Sequence, residues 1–292
     1  MPLQKKTSRR RIIKAGFASA ASLAVSMPNS HAAKTASELK PKAKWETKIV
    51  FLGGDYLHNG ETQELALRGV FYSQESTKNY RFIKAQDCTH VTPELIKDTD
   101  LLLICRWGGG IPVFCTEPLC ENRPIAWDGY MPESLEKSIV DNVKNRGMGL
   151  GILHCAVWIP ERVEFTTLMG IKAKMHGAIQ NVKFHDFNQN HPITKGIKEF
   201  SIGRDENFGV EIVDENVVPL FQSTGTTDNR NDIAGWCIEQ GKGRVIGLLA
   251  GHTWDAWTHK TYKELQFRAF MWAMHKEIPP FTPLSNELGW MV

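Results

Sequence analysis

The sequence predicts a doubly wound α/β domain, a mostly parallel sheet extended by antiparallel strands. Three observations predict it. Short, almost wholly apolar runs recur at residues 48–52, 100–105 and 147–154, too short for helices and bounded by glycine or polar residues, as strands buried on both faces require. Segments of helical composition separate them. Beyond residue 180 strand-like segments follow one another without regular helices between them, which is the order of an antiparallel extension.

Taken in order, Lys48-Ile49-Val50-Phe51-Leu52 is a strand stopped by Gly53-Gly54, and residues 61–76 have the composition of a helix. Residues 80–85 form a second strand, 93–98 a short helix opened by Pro93, and 100–105 a third strand, expected to be fully buried. The stretch 106–130, with three consecutive glycines and three prolines, reads as a functional loop, because structureless connections beyond roughly 15 residues are uncommon in compact domains. Leu135, Ile139 and Val143 recur every four residues and predict a helix over 132–146; residues 147–154 are the fourth strand. Strands at 181–185, 208–213, 217–222, 234–239 and 244–250 follow, with Gly241-Lys242-Gly243-Arg244 as a hairpin turn. Tyr262, Leu265, Ala269, Trp272 and Ala273 form one stripe of a closing helix over 262–276.

The chain has 292 residues, 42% apolar and 23% charged, which excludes wholesale disorder, collagen and coiled coil. Its formal charge of +3 is misleading, because the first 32 residues carry six cations (Lys5, Lys6, Arg9, Arg10, Arg11, Lys14) and no acid. Ser8-Arg9-Arg10-Arg11-Ile12-Ile13-Lys14, followed by small apolar residues to Met27 and a cleavage pattern at Ser30-His31-Ala32, resembles a twin-arginine signal peptide. The expected organisation is a signal over 1–32, a linker over 33–46 and one domain over 47–292, with a periplasmic or secreted destination. Without the signal, 29 Lys+Arg face 32 Asp+Glu, a net charge of −3, so nucleic-acid binding loses its compositional support. No run approaches the roughly 18 apolar residues of a permanent membrane anchor. In an oxidising compartment Cys115 and Cys120 are placed to close a small disulfide, whereas Cys105, Cys155 and Cys237 lie in apolar runs and read as buried.

Ligands of open parallel sheets sit beyond the carboxyl ends of the strands, which directs attention to the residues there. His58 follows the first strand, His154 ends the fourth, His252 follows another, and Asp205-Glu206 precedes a fifth. Three imidazoles and a carboxylate suit a divalent cation such as zinc; taken singly, each histidine equally fits a hydrogen-bonded structural role. The turn at His154-Cys155 also admits a nucleophile elbow with Cys155 as thiolate and His252 as base, although Leu153 and Val157 stand where an elbow carries glycines. Trp158, Trp254 and Trp257, close in sequence to His154 and His252, offer flat faces for a sugar ring. His191, before Pro192, is expected to organise a turn.

Gly54…His58, Gly149-Leu150-Gly151-Ile152-Leu153-His154-Cys155, His176-Gly177, His191-Pro192-Ile193-Thr194-x-Gly196, Asp205-Glu206, Gly241-Lys242-Gly243-Arg244-Val245 and Gly251-His252 occur in this order. In these motifs the chain resembles the ThuA-like (trehalose utilisation) family over roughly residues 47–278. The resemblance implies a flavodoxin-like fold related to class I glutamine amidotransferases without their catalytic cysteine. It also implies catabolism of trehalose and related disaccharides through 3-keto sugars, with a divalent metal in some members. Carried over by position, His58, His154, Glu206 and His252 are metal ligands, and Asp205 and His176 stand behind those ligands or contact the substrate, where either would move the proton; Asp205 equally fits a helix or turn cap. Where members often show Asp-Glu-x-Tyr, this chain has Asp205-Glu206-Asn207-Phe208 and lacks the hydroxyl.

The expectation is therefore an exported zinc-dependent enzyme of an oxidised sugar or glycoside, catalysing isomerisation, elimination or hydrolysis, with a small carbohydrate as its partner and homo-oligomerisation left open. A non-catalytic carbohydrate-binding protein and a Cys155-dependent hydrolase are the alternatives.

Overall fold

The computed structural model describes residues 47–55, 57–85, 90–107, 131–158 and 163–283. The signal, the linker, the Cys115–Cys120 pair and most of the 106–130 loop lie outside the described residues.

In chain order the elements are β1 (Lys48–Gly53), α1 (Gly60–Tyr72), β2 (Arg81–Ala85), α2 (Pro93–Ile96), β3 (Leu101–Cys105), α3 (Glu133–Asp141), β4 (Gly149–Leu153), α4 (Val163–Met169), β5 (Ile171–His176), β6 (Gln180–His185), β7 (Phe200–Asp205), β8 (Phe208–Ile212), β9 (Val218–Gly225), β10 (Asn231–Gln240), β11 (Gly243–Leu248), α5 (Trp254–Thr258) and α6 (Lys260–Ala273). Nine strands form one sheet in the order β2-β1-β3-β4-β11-β10-β9-β6-β7. The first five are mutually parallel, and β10, β9, β6 and β7 continue the sheet antiparallel. β5 and β8 pair separately.

The unbroken apolar runs have a direct cause. Ile49, Phe51, Leu101 and Leu103 pack with Leu67, Val70 and Phe71 of α1 and Leu265, Ala269 and Phe270 of α6. Val50, Leu52, Leu102 and Ile104 belong to a second cluster with Leu135 and Ile139 of α3 and Phe165 and Leu168 of α4. Successive residues of a strand point to opposite faces, so covering both faces demands apolar side chains at every position. In β4 the alternate positions are glycine because neighbours come close: a Cβ on Gly149 would lie 2.7 Å from the Ala273 carbonyl of α6, and one on Gly151 2.6 Å from Leu103 Cδ2.

The predicted helix over 132–146 is α3 followed without a break by a π-helical turn, Asn142–Arg146, and Gly147 ends it at φ 93°. Val143 stays buried, so the predicted apolar face survives the change of pitch. The hairpin turn is as expected, with Gln240 paired to Gly243 across Gly241-Lys242. Two strands were not foreseen. β5 has mostly exposed or half-exposed side chains, and β7 is an edge strand with only Ile202 and Asp205 buried, so neither carries an apolar run. No helix among the described residues is long and apolar enough to cross a membrane.

Candidate functional site

Pairing through β10, β9 and β6 leaves β7 pointing the same way as the parallel strands, so β1, β4, β7 and β11 deliver their carboxyl ends to one edge. Each brings one functional side chain.

After β1, the Asp55 carboxylate accepts from the backbone N–H groups of Leu57 (2.8 Å), His58 (3.0 Å) and Trp107 (2.8 Å), and pairs with His58 Nδ1 at 2.7 Å. The chain is thereby folded back into α1, whose cap is the Asn59 side chain, and the His58 ring is held with Nε2 unpartnered. At the end of β4, His154 leaves the strand at φ 47°, a left-handed conformation that costs a β-carbon residue on the order of 1–3 kcal/mol. Its Nδ1 lies 2.9 Å from the Leu249 carbonyl, which fixes the tautomer with Nδ1–H donating and leaves the buried Nε2 without a partner. After β11, Gly251 at φ 147° turns the chain so that His252 faces the same point.

The three imidazole rings stand edge to face, with centroids 5.0 Å (His58–His154), 5.1 Å (His58–His252) and 5.4 Å (His154–His252) apart. One ring nitrogen from each lies within 4.8 Å of the others. Glu206, on the turn between β7 and β8, places Oε2 3.5 Å from His154 Nε2 and 3.3 Å from His252 Nδ1. Its Oε1 is 3.4 Å from His176 Nδ1. His58 Nε2, His154 Nε2 and His252 Nδ1 are buried without a hydrogen bond. A buried unsatisfied polar group costs roughly 1–3 kcal/mol, so three together cost a sizeable part of a domain's ordinary 5–15 kcal/mol stability. A divalent cation with imidazole and carboxylate ligands is a group that relieves all three.

Electrostatics treat two of these rings oppositely. Burial, reinforced by the facing His58, pulls the His154 pKa well below its ordinary value, which keeps that ring neutral. Burial also works against a charge on His58, but the Cys155 sulfur and the Asp55 carboxylate outweigh it and raise its pKa.

Above this floor lies a cavity of about 270 Å³ lined by Leu57, His58, Trp107, Cys155, Trp158, His176, Glu206, Phe208 and His252. Its walls are largely aromatic: the Phe208 ring stands edge to face with His154 at 5.1 Å, and Trp158 with His176 at 6.3 Å.

The four ligand positions inferred from the sequence thus meet in space, and His176 and Trp158 border the same cavity. Three other assignments need correction. Asp205 does not reach the cavity, which removes its proton-moving and substrate-contacting readings and leaves the one behind the candidate ligands: it is fully buried, and its carboxylate accepts from the backbone N–H groups of Glu206, Gly251 and His252. Burial raises its pKa to about 7, against the pull of those N–H groups. Trp257 is a core residue, 1% exposed, whose Nε1 donates to the Gly251 carbonyl. Trp254 is exposed on α5 and does not line the cavity. Cys155 does not sit on a nucleophile elbow, because the positive φ of the turn belongs to His154, and burial with the adjacent Cys105 pushes the Cys155 thiol well above its usual pKa. His191 does organise its turn, accepting from the Ile193 N–H.

Asp55 and Trp107 were not singled out in the sequence. Asp55 had a readable signal, a carboxylate three residues before a histidine at a helix entrance; Trp107, at the end of β3, had none.

A family model described as ThuA, trehalose utilisation, matches residues 76–273. No curated protein matches the chain. Among solved structures, a putative ThuA-like protein from Parabacteroides merdae superposes with a TM-score of 0.62 at 14% identity, covering 80% of this chain and 92% of that one. A putative ThuA-like protein from Bacteroides uniformis gives 0.57 at 14%, covering 80% and 93%. A β-galactosidase from Rahnella sp. R3 gives 0.54 at 12%, covering 82% of this chain but 33% of that enzyme. At these identities the likeness is one of fold.

Proposed function

The chain belongs to the ThuA (trehalose utilisation) family, and from that premise we propose that it is an exported, metal-dependent enzyme acting on an oxidised (3-keto) sugar or glycoside. The observation that carries the proposal is the convergence of three buried, unpartnered ring nitrogens and the Glu206 carboxylate under an aromatic-walled cavity. The strand order β2-β1-β3-β4-β11 supports reading the domain as doubly wound and flavodoxin-like, with its ligand beyond the strands' carboxyl ends.

His58, His154, His252 and Glu206 would hold the cation. When bound, a cation such as zinc supplies Lewis-acid polarisation of a carbonyl or hydroxyl oxygen. The chain's own groups do the rest. Asp55 and the Leu249 carbonyl fix the His58 and His154 rings, as carboxylates and carbonyls behind metal-binding histidines do. His176, half-exposed on the wall with Nδ1 between the Gly177 carbonyl and Glu206, is the group placed to move a proton at the substrate. Trp107 and Trp158 offer apolar faces to a sugar ring, and 270 Å³, just under the roughly 300–1,000 Å³ of drug-sized sites, admits about one monosaccharide unit.

The test is metal analysis of the purified protein followed by turnover of 3-keto glycosides. Stoichiometric divalent metal, lost in His154→Ala and His252→Ala, is expected. His176→Ala should keep the metal and lose about 10²–10⁴-fold in kcat. Absence of metal, or its full retention in both variants, overturns the proposal; tight sugar binding without product by fully loaded protein would make this an accessory protein.

A further inference from the structure

Asp205 is 0% exposed and takes three N–H groups from two segments distant in sequence: Glu206 (2.8 Å) on its own turn, and Gly251 (2.9 Å) and His252 (3.0 Å) on the loop after β11. That loop is held at other points too. The Leu249 carbonyl accepts from His154, the Ala250 carbonyl from the Tyr262 hydroxyl and the Gly251 carbonyl from Trp257 Nε1. Asp205 binds the segments carrying Glu206 and His252 to each other through three N–H groups, beside one further link, the Thr253 hydroxyl donating to the Arg204 carbonyl. The chemistry requires an acid, because an ionised carboxylate has two acceptor oxygens and no donor, whereas an amide would turn an NH₂ toward one of these N–H groups.

We propose that Asp205 is the positioning residue that sets Glu206 and His252 in register toward the cavity floor. This rests on the metal-site reading above for its affinity readout, but the register itself does not. The experiment compares wild type, Asp205→Asn, His252→Ala and the double variant by zinc affinity against a chromophoric chelator, together with the NMR signals of the His252 ring in metal-free protein. Asp205→Asn should weaken zinc about 10–100-fold, as loss of a partner behind a ligand does. The same substitution made on top of His252→Ala should cost clearly less, since part of its route is gone. The His252 ring signals should shift without metal while those of His191, remote from Asp205, stay in place. Full additivity with an unmoved His252 ring overturns the proposal. If wild type binds no zinc, the metal reading fails and the ring signals alone decide the positioning role. If Asp205→Asn does not fold, Asp205→Glu takes its place: a longer arm must displace the loop and shift the His252 ring, and unchanged signals overturn the inference.

Discussion

Replacing Gly251 with alanine tests whether backbone geometry, rather than side-chain contact alone, shapes the floor of the site. Gly251 sits at φ 147°, outside the range open to residues with a Cβ, which costs on the order of 1–3 kcal/mol. The new methyl would also lie 3.0 Å from the Cβ of His154 and 3.0 Å from Trp257 Cζ2. Neither neighbour has room to yield, since both are essentially unexposed, and crowding of this kind in a packed interior costs roughly another 1–3 kcal/mol. The sum is about 2–6 kcal/mol, or roughly 4–24 °C in Tm for a domain of this size. Urea unfolding of metal-free protein measures the first figure and calorimetry the second. Because the displaced atom belongs to His154, zinc affinity should fall together with stability. A Gly251→Ala protein within about 0.5 kcal/mol of wild type, with unchanged affinity, would refute the strain argument.

Three further outcomes are expected. Cys155→Ala should retain most activity, and alkylation of the folded protein should leave turnover intact, because a buried thiol with a raised pKa is no nucleophile; loss of activity in both would restore the cysteine mechanism. The depressed pKa of His154 means that the unfolded chain binds a proton the native protein refuses, so its contribution to stability is lost as pH falls below about 6.5, at up to ~1.4 kcal/mol per unit. The difference in unfolding free energy between wild type and His154→Asn, measured without metal from pH 5 to 7, should therefore rise with pH, and a flat difference would contradict a buried neutral ring. Replacing Arg9, Arg10 and Arg11 with lysine should leave the protein in the cytoplasm on fractionation, whereas undiminished export would remove the twin-arginine assignment.

The sheet and the histidine cluster were legible for one physical reason. A parallel strand covered on both faces must be apolar at every position, which marks β1, β3 and β4, and parallel strands send their carboxyl ends to a common edge, which makes His58, His154 and His252 neighbours despite separations of about a hundred residues. Where burial is one-sided the signal thins, so β5 and β7 passed unseen. Side-chain roles at the edge were less legible than positions. Asp205 and Glu206 are adjacent, yet one faces inward to backbone N–H groups and the other faces the histidines, a distinction set by which way the turn faces. Trp257 resembled a sugar platform for the same reason: proximity in sequence to His252 says nothing about whether an indole points to the cavity or to the Gly251 carbonyl.

The segment from Leu249 to His252 is gripped through its main-chain carbonyls and amides. A site anchored this way separates two evolutionary freedoms. The wall side chains of Leu57, Trp107, Trp158 and Phe208 make none of these grips, so exchanging them leaves the anchorage of this segment in place, and descendants of this chain can change what enters the cavity while inheriting that anchorage.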